Sequence, residues 1–96
     1  MRVWKIIDDG CPICAKMSQF DADLIAFMGY ELVVLKLDEA GAIPRTATYI
    51  QSKLMDTDGT VDIPMYIVEV NGDFVGAVVG QNTKGELKRK LLQVTG

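Results

Sequence analysis

Cys11-Pro12-Ile13-Cys14 decides how the rest of this chain is read. Arg2 to Ile7, rich in strand formers, leads into it, and Asp8-Asp9-Gly10 marks a turn before a helical pattern begins. Cysteines at i and i+3 can share the first turn of a helix, close enough for a disulfide within that turn. Cys11 is expected at or just before the helix start, where unpaired backbone N–H groups and the positive end of the helix dipole stabilise a thiolate. Pro12 suits the first helical position, because its missing N–H has no partner there anyway. Strand, turn, Cys-x-x-Cys and helix is the order expected of a dithiol redox site.

The 96 residues are expected to form one domain, 1–96, with a single core. The net charge of −3 argues against general nucleic-acid binding, which needs a basic surface. No apolar run approaches the roughly 18 residues of a membrane span. The N-terminus has no signal-peptide pattern, so a cytoplasmic location is expected, where paired cysteines are catalytic or metal-binding rather than structural. A closed zinc site takes four Cys or His ligands, and this chain has two Cys and no His, so no metal is expected. Lack of histidine also removes Cys–His catalysis and leaves the chemistry to the thiols.

Val3, Trp4, Ile6 and Ile7 suit a buried strand. After the cysteines, Ile13, Met17, Phe20, Leu24 and Phe27 or Met28 recur at helical spacing as a sheet-packing face, with Lys16, Gln19 and Asp23 outward and Gly29 as the stop. Glu31 to Asp38 reads as a second strand, whose run Leu32-Val33-Val34-Leu35 suits a strand covered on both faces. Lys36 and Asp38 read as solvated strand-end charges. Glu39 to Ile43 reads as loop, and Pro44 opens a helix to about Met55 with Ile50, Leu54 and Ala47 inward. Asp56 to Asp62 reads as a solvated loop rather than a calcium ladder. Met65–Val70 and Phe74–Val79 are a hairpin turned by Asn71-Gly72, with Gly76 predicting a bulge or a close contact. Thr83-Lys84-Gly85-Glu86 has the form of a capping box before a last helix, with Leu87, Leu91 and Leu92 inward.

The resulting order, β-α-β-α-β-β-α with a four-stranded mixed sheet flanked by helices, resembles the short form of the thioredoxin-like α/β fold across nearly the whole chain. Cys-Pro-Ile-Cys is similar to a glutaredoxin centre. Ile63-Pro64 resembles the thioredoxin cis-proline site, and Val79-Gly80 followed by Thr83-Lys84-Gly85-Glu86-Leu87-Lys88 resembles the thioredoxin closing run. The sequence departs from thioredoxins where they bury an aspartate, since Lys5 falls there by counting. It departs from glutaredoxins after Gly80, where Gln81 and Asn82 replace the expected acid of the glutathione site.

The resemblance implies a thiol–disulfide oxidoreductase in which Cys11 attacks a protein disulfide and Cys14 resolves the mixed disulfide. Pro64, if cis, would set the backbone of Ile63 beside the sulfurs to pair with an extended substrate, with Pro12, Ile13 and Gly80 completing the contact surface. No cofactor beyond the Cys11–Cys14 disulfide is implied. The partners implied are protein disulfides and an electron donor, either a thioredoxin-reductase-type flavoprotein or glutathione, acting on a monomer. A glutathione-dependent glutaredoxin is the alternative, and a non-catalytic binding module of the same fold is the rival from another class.

Overall fold

The computed structural model describes residues 1–56 and 62–96. Strand β1 (Arg2–Ile7) is the second strand of a four-stranded sheet ordered β2-β1-β3-β4. It pairs in parallel with β2 (Glu31–Lys36) and antiparallel with β3 (Met65–Val70), which pairs antiparallel with β4 (Asp73–Val79). Asn71 and Gly72 turn the hairpin at positive φ, 52° and 87°, the left-handed pair that Asn-Gly accommodates at low cost.

Alternation along β1 sends Val3 to one face and Ile6 to the other. On the first face, helices α1 (Pro12–Met17), α2 (Asp21–Phe27) and α5 (Lys84–Thr95) cover Val3, Tyr66, Val68 and Val78 with Met17, Leu24, Ile25, Leu87 and Leu91. On the second face, α3 (Leu37–Ala42) and α4 (Pro44–Asp56) set Ala40 and Ile50 against Ile6, Met65 and Ile67.

Several elements differ from expectation. The single helix after the cysteines is two, because the chain tightens at 18–20. There Ser18 Oγ donates to the Ala15 carbonyl at 2.6 Å, and the N–H groups of Gln19 and Phe20 reach back three residues to Lys16 and Met17. The break rotates the stripe, so Phe27 is 82% exposed and Ile25 is fully buried in its stead. The second strand stops at Lys36, and Asp38 lies in α3, in the stretch expected to be loop. Lys36 and Glu39 form a backbone–side-chain capping pair there, the Glu39 carboxylate accepting the Lys36 N–H at 2.9 Å. β2 is the edge strand, with Leu32 packed against the first-face core and Leu35 against the second, while its Val34 is half exposed. α4 keeps its expected span and buries Ile50. Thr46, unremarked in the sequence, is also buried, its hydroxyl donating to the Ala40 carbonyl. The side chain of Leu54 and the Asp-Thr-Asp-Gly loop, with its calcium comparison, lie outside the described residues. In β4 the register slips at Val75, and a Cβ on Gly76 would come within 2.9 Å of Val94 on α5, so this glycine marks both a bulge and a close approach. The Thr83–Glu86 capping box is present, while Leu92 is half exposed.

The pairing registers bring four chain ends to one edge of the sheet. Ile7 lies opposite Lys36, Ile6 opposite Met65, and Met65 opposite Val79. The end of β1, the end of β2, the start of β3 and the end of β4 therefore share the edge from which the turn into Cys11 departs.

Candidate active site

Cys11 is the N-cap of α1, with extended backbone (φ −98°, ψ 98°), and Pro12 begins the helix. The Cys14 N–H donates to Cys11 Sγ at 3.1 Å, filling with sulfur the role that a hydroxyl or carboxylate plays at other N-caps. The two cysteines are joined by a disulfide, with Cα atoms 5.2 Å apart. Cys11 is half-buried and Cys14 is 6% exposed. α1 has only six residues, so the groups acting on Cys11 are the local N–H donors of its first turn rather than a long helix dipole.

The other expected contact residues lie around this edge. Pro12 is exposed, and Ile13 is half-buried against the first-face core. The Ile63–Pro64 peptide is cis, with Pro64 buried and Ile63 half-buried. The Gly80 N–H donates to the Pro64 carbonyl at 2.9 Å, tying the end of β4 to the start of β3. Gly80 has φ +76°, and a Cβ there would meet Asp62 at 3.5 Å.

Of the neutral residues that replace an acid beyond Gly80, Asn82 is already engaged. Asn82 is buried; its amide donates to the Val79 and Gly80 carbonyls at 3.3 and 3.1 Å, and its oxygen accepts from Lys90 Nζ at 2.6 Å. Thr83 and Glu86 exchange hydrogen bonds across the start of α5. That bonding, mainly from the Thr83 backbone, holds the Glu86 carboxyl below its usual range. A cleft of about 420 Å³ separates this segment from α1, lined by Lys16, Met17, Phe20, Gln81, Asn82 and Lys84.

The largest feature missed in the sequence is a buried charged group. Lys5, which counting placed where an acid was sought, is 4% exposed, and its ammonium lies 2.5 Å from the carboxylate of Asp21 on α2. Asp21 is 1% exposed and accepts a 2.6 Å hydrogen bond from the Tyr66 hydroxyl. Burial, reinforced by the Asp21 carboxylate, pushes the Tyr66 phenol far above its ordinary value, so it remains a donor. The acid thus comes from the helix, not the strand. Two signals could have found it: Lys5 shares a strand face with Val3, and Asp21 follows Met17 by four on the stripe that begins at Cys14. A second pair was also missed. Lys36 Nζ lies 3.1 Å from the carboxylate of Asp9, in the turn before Cys11, so neither is simply solvated.

Sheet order, helix placement and a cysteine pair capping the first helix define a protein of the thioredoxin fold carrying a dithiol centre. Comparison with solved structures bears the fold out. The oxidised thioredoxin of Plasmodium falciparum superposes with a TM-score of 0.64 at 16% identity, over 99% of this chain and 81% of that one. Thioredoxin 1 of Thermosipho africanus superposes with a TM-score of 0.57 at 11% identity, over the whole of both chains. A thioredoxin of Nicotiana alata gives 0.60 at 20% identity, over 96% of this chain and 70% of that one. No protein-family model and no curated protein matches the sequence.

Proposed function

We propose that this protein is a thiol–disulfide oxidoreductase that reduces protein disulfides through Cys11 and Cys14. One observation carries the reading: Cys11, half-buried, caps a helix and is bonded to a buried Cys14 one turn in. In the reduced protein the Cys11 thiolate, favoured by the first-turn N–H groups, attacks one sulfur of a substrate disulfide. The substrate S–S bond breaks, one substrate sulfur leaves as thiolate, and the other is held as a mixed disulfide with Cys11. Cys14 then loses its proton and attacks the Cys11 sulfur. The second substrate thiolate leaves, the Cys11–Cys14 disulfide forms, and two electrons have passed to the substrate. The dithiol is its own redox group and calls for no further cofactor.

Ile63 and Gly80, half-buried at the same sheet edge, offer backbone for an extended substrate segment, with Pro12 and Ile13 on the helix side. Electrons return from a thioredoxin-reductase-type flavoprotein rather than from glutathione, in a reducing compartment such as the cytoplasm. This preference rests on the segment after Gly80: Asn82 is tied to its own backbone and to Lys90, and Thr83 and Glu86 to each other. The glutathione reading has one observation in its favour, since Lys16 and Lys84 line the cleft beside α1 and could receive carboxylates.

The test is turnover of insulin disulfides with either donor. The proposal expects turnover supported by the flavoprotein and slow recycling by millimolar glutathione. Saturable turnover with glutathione would favour the second reading, and no turnover with any donor would leave a binding module of the same fold.

A further inference from the structure

The chemistry above makes no use of the charged pair at the turn that delivers Cys11. Lys36 closes β2 opposite Ile7 and is also the N-cap of α3. Its backbone is fixed there, because its N–H is accepted by Glu39 at 2.9 Å. From that anchor its side chain reaches back to the Asp9 carboxylate at 3.1 Å. The turn has two further constraints: Asp8 accepts the Asp9 N–H at 2.9 Å, and Gly10 sits at φ +70°.

We propose that Lys36 is a positioning residue for the dithiol, cancelling the Asp9 carboxylate that would otherwise oppose the Cys11 thiolate and holding the turn that presents Cys11 as the helix cap. The assignment rests on the dithiol reading above. Asp9 is two residues from Cys11, so their Cα atoms are at most about 7 Å apart, within the roughly 8 Å screening length at physiological salt. An uncompensated carboxylate at that range destabilises a thiolate.

Among the described residues, the acids of this turn and of the first turn of α3 are already engaged. Asp8 is committed to the Asp9 N–H, Asp38 to the Glu39 N–H, and Glu39 to the Lys36 N–H. Asp62 precedes Ile63 on the β3 side, and Lys16 is exposed on α1. The Lys36 ammonium is thus directed to Asp9. The hydrogen bond to Asp9 and the charge of that carboxylate raise the Lys36 pKa above its ordinary value, so it remains cationic wherever a thiol titrates. Both partners are solvent-exposed, and an exposed pair adds little to the stability of the fold. The effect on Cys11 is therefore separable from any effect on folding.

The experiment titrates Cys11 in the reduced protein, following iodoacetamide alkylation against pH at low ionic strength with the modified cysteine identified by mass. Lys36→Met is expected to raise the apparent Cys11 pKa by about half a pH unit, slowing alkylation at pH 7 about threefold with no change in melting temperature. Lys36→Arg should titrate as the wild type. Asp9→Asn alone, which frees a cation, should move the pKa downward, and adding it to Lys36→Met should restore the wild-type value. An unchanged pKa in Lys36→Met, or no restoration in the double variant, overturns the proposal. The titration does not depend on turnover, so a failed insulin assay would remove the proposed function and leave this result readable.

Discussion

Lys5 and Lys36 are both strand lysines paired with an aspartate, yet one pair is in the protein interior and the other in water. Lys5 and Asp21 are almost wholly buried, with the Tyr66 hydroxyl as a third partner, whereas the side chains of Lys36 and Asp9 are 49% and 83% exposed. The same chemistry therefore does different work. In the core, removing one member strands a charge with no water to take its place, so the pair secures β1, β3 and α2 to one another. At the surface, water replaces either partner cheaply, so the fold hardly depends on the pair while a sulfur two residues away remains within reach of its charge.

The comparison can be broken most sharply at the buried pair. Lys5→Met or Asp21→Asn should cost about 3–5 kcal/mol by urea unfolding. Replacing all three polar groups, as Lys5→Met/Asp21→Leu/Tyr66→Phe, should recover most of that loss, because apolar side chains leave no charge stranded. Equal losses in the single and triple variants would mean that packing, not charge, is at stake. Tyr66→Phe alone should cost about 1.5–3 kcal/mol, the worth of a hydrogen bond to a charged group.

Tyr66 also leaves a signature in alkali. Its pKa is raised in the folded state, so its contribution is complete below the ordinary phenol value of 10.0 and declines as pH rises above it. Wild type should therefore lose stability from about pH 10 upward, and Tyr66→Phe should show a shallower alkaline decline. Smaller again is the cap of α5: Thr83→Ala should cost about 1 kcal/mol. The Glu86 carboxyl is lowered from an ordinary value of 4.5, so its contribution is present above that value and fades as pH falls below it. Thr83→Ala should flatten that acid decline. Smallest of all is Lys36→Met, with no shift of the melting temperature; a large drop would place the surface pair in the same class as the buried one.

How far the sequence revealed these features depended on whether the signal was local. Cys-x-x-Cys before a helix, Asn-Gly between strands and Thr-x-x-Glu before a helix each place their partners within a few residues. All three formed as read, and so did the four-stranded mixed sheet. The split between α1 and α2 was less legible, since it turns on the Ser18 hydroxyl competing for a backbone carbonyl while the apolar spacing runs through the break. α3 was hidden because Leu37–Ala42 is short, and the capping carboxylate of Glu39 is its main local signal. The charged pairs were the hardest, because each joins groups 16 or more residues apart. Lys5 could be seen as a cation on a core face and Asp21 as an acid on the buried stripe, but that the two meet became visible only once α2 was laid across the sheet.

The central claim is that Cys11 attacks and Cys14 resolves, and the most direct measurement is trapping. Reduced Cys14→Ser and Cys11→Ser proteins are each incubated with a disulfide-bonded protein substrate, and covalent adducts are identified by mass. The account predicts a stable mixed disulfide through Cys11 in the Cys14→Ser protein and none in the Cys11→Ser protein. An adduct formed through Cys14, or faster alkylation of Cys14 than of Cys11 at neutral pH, would contradict it.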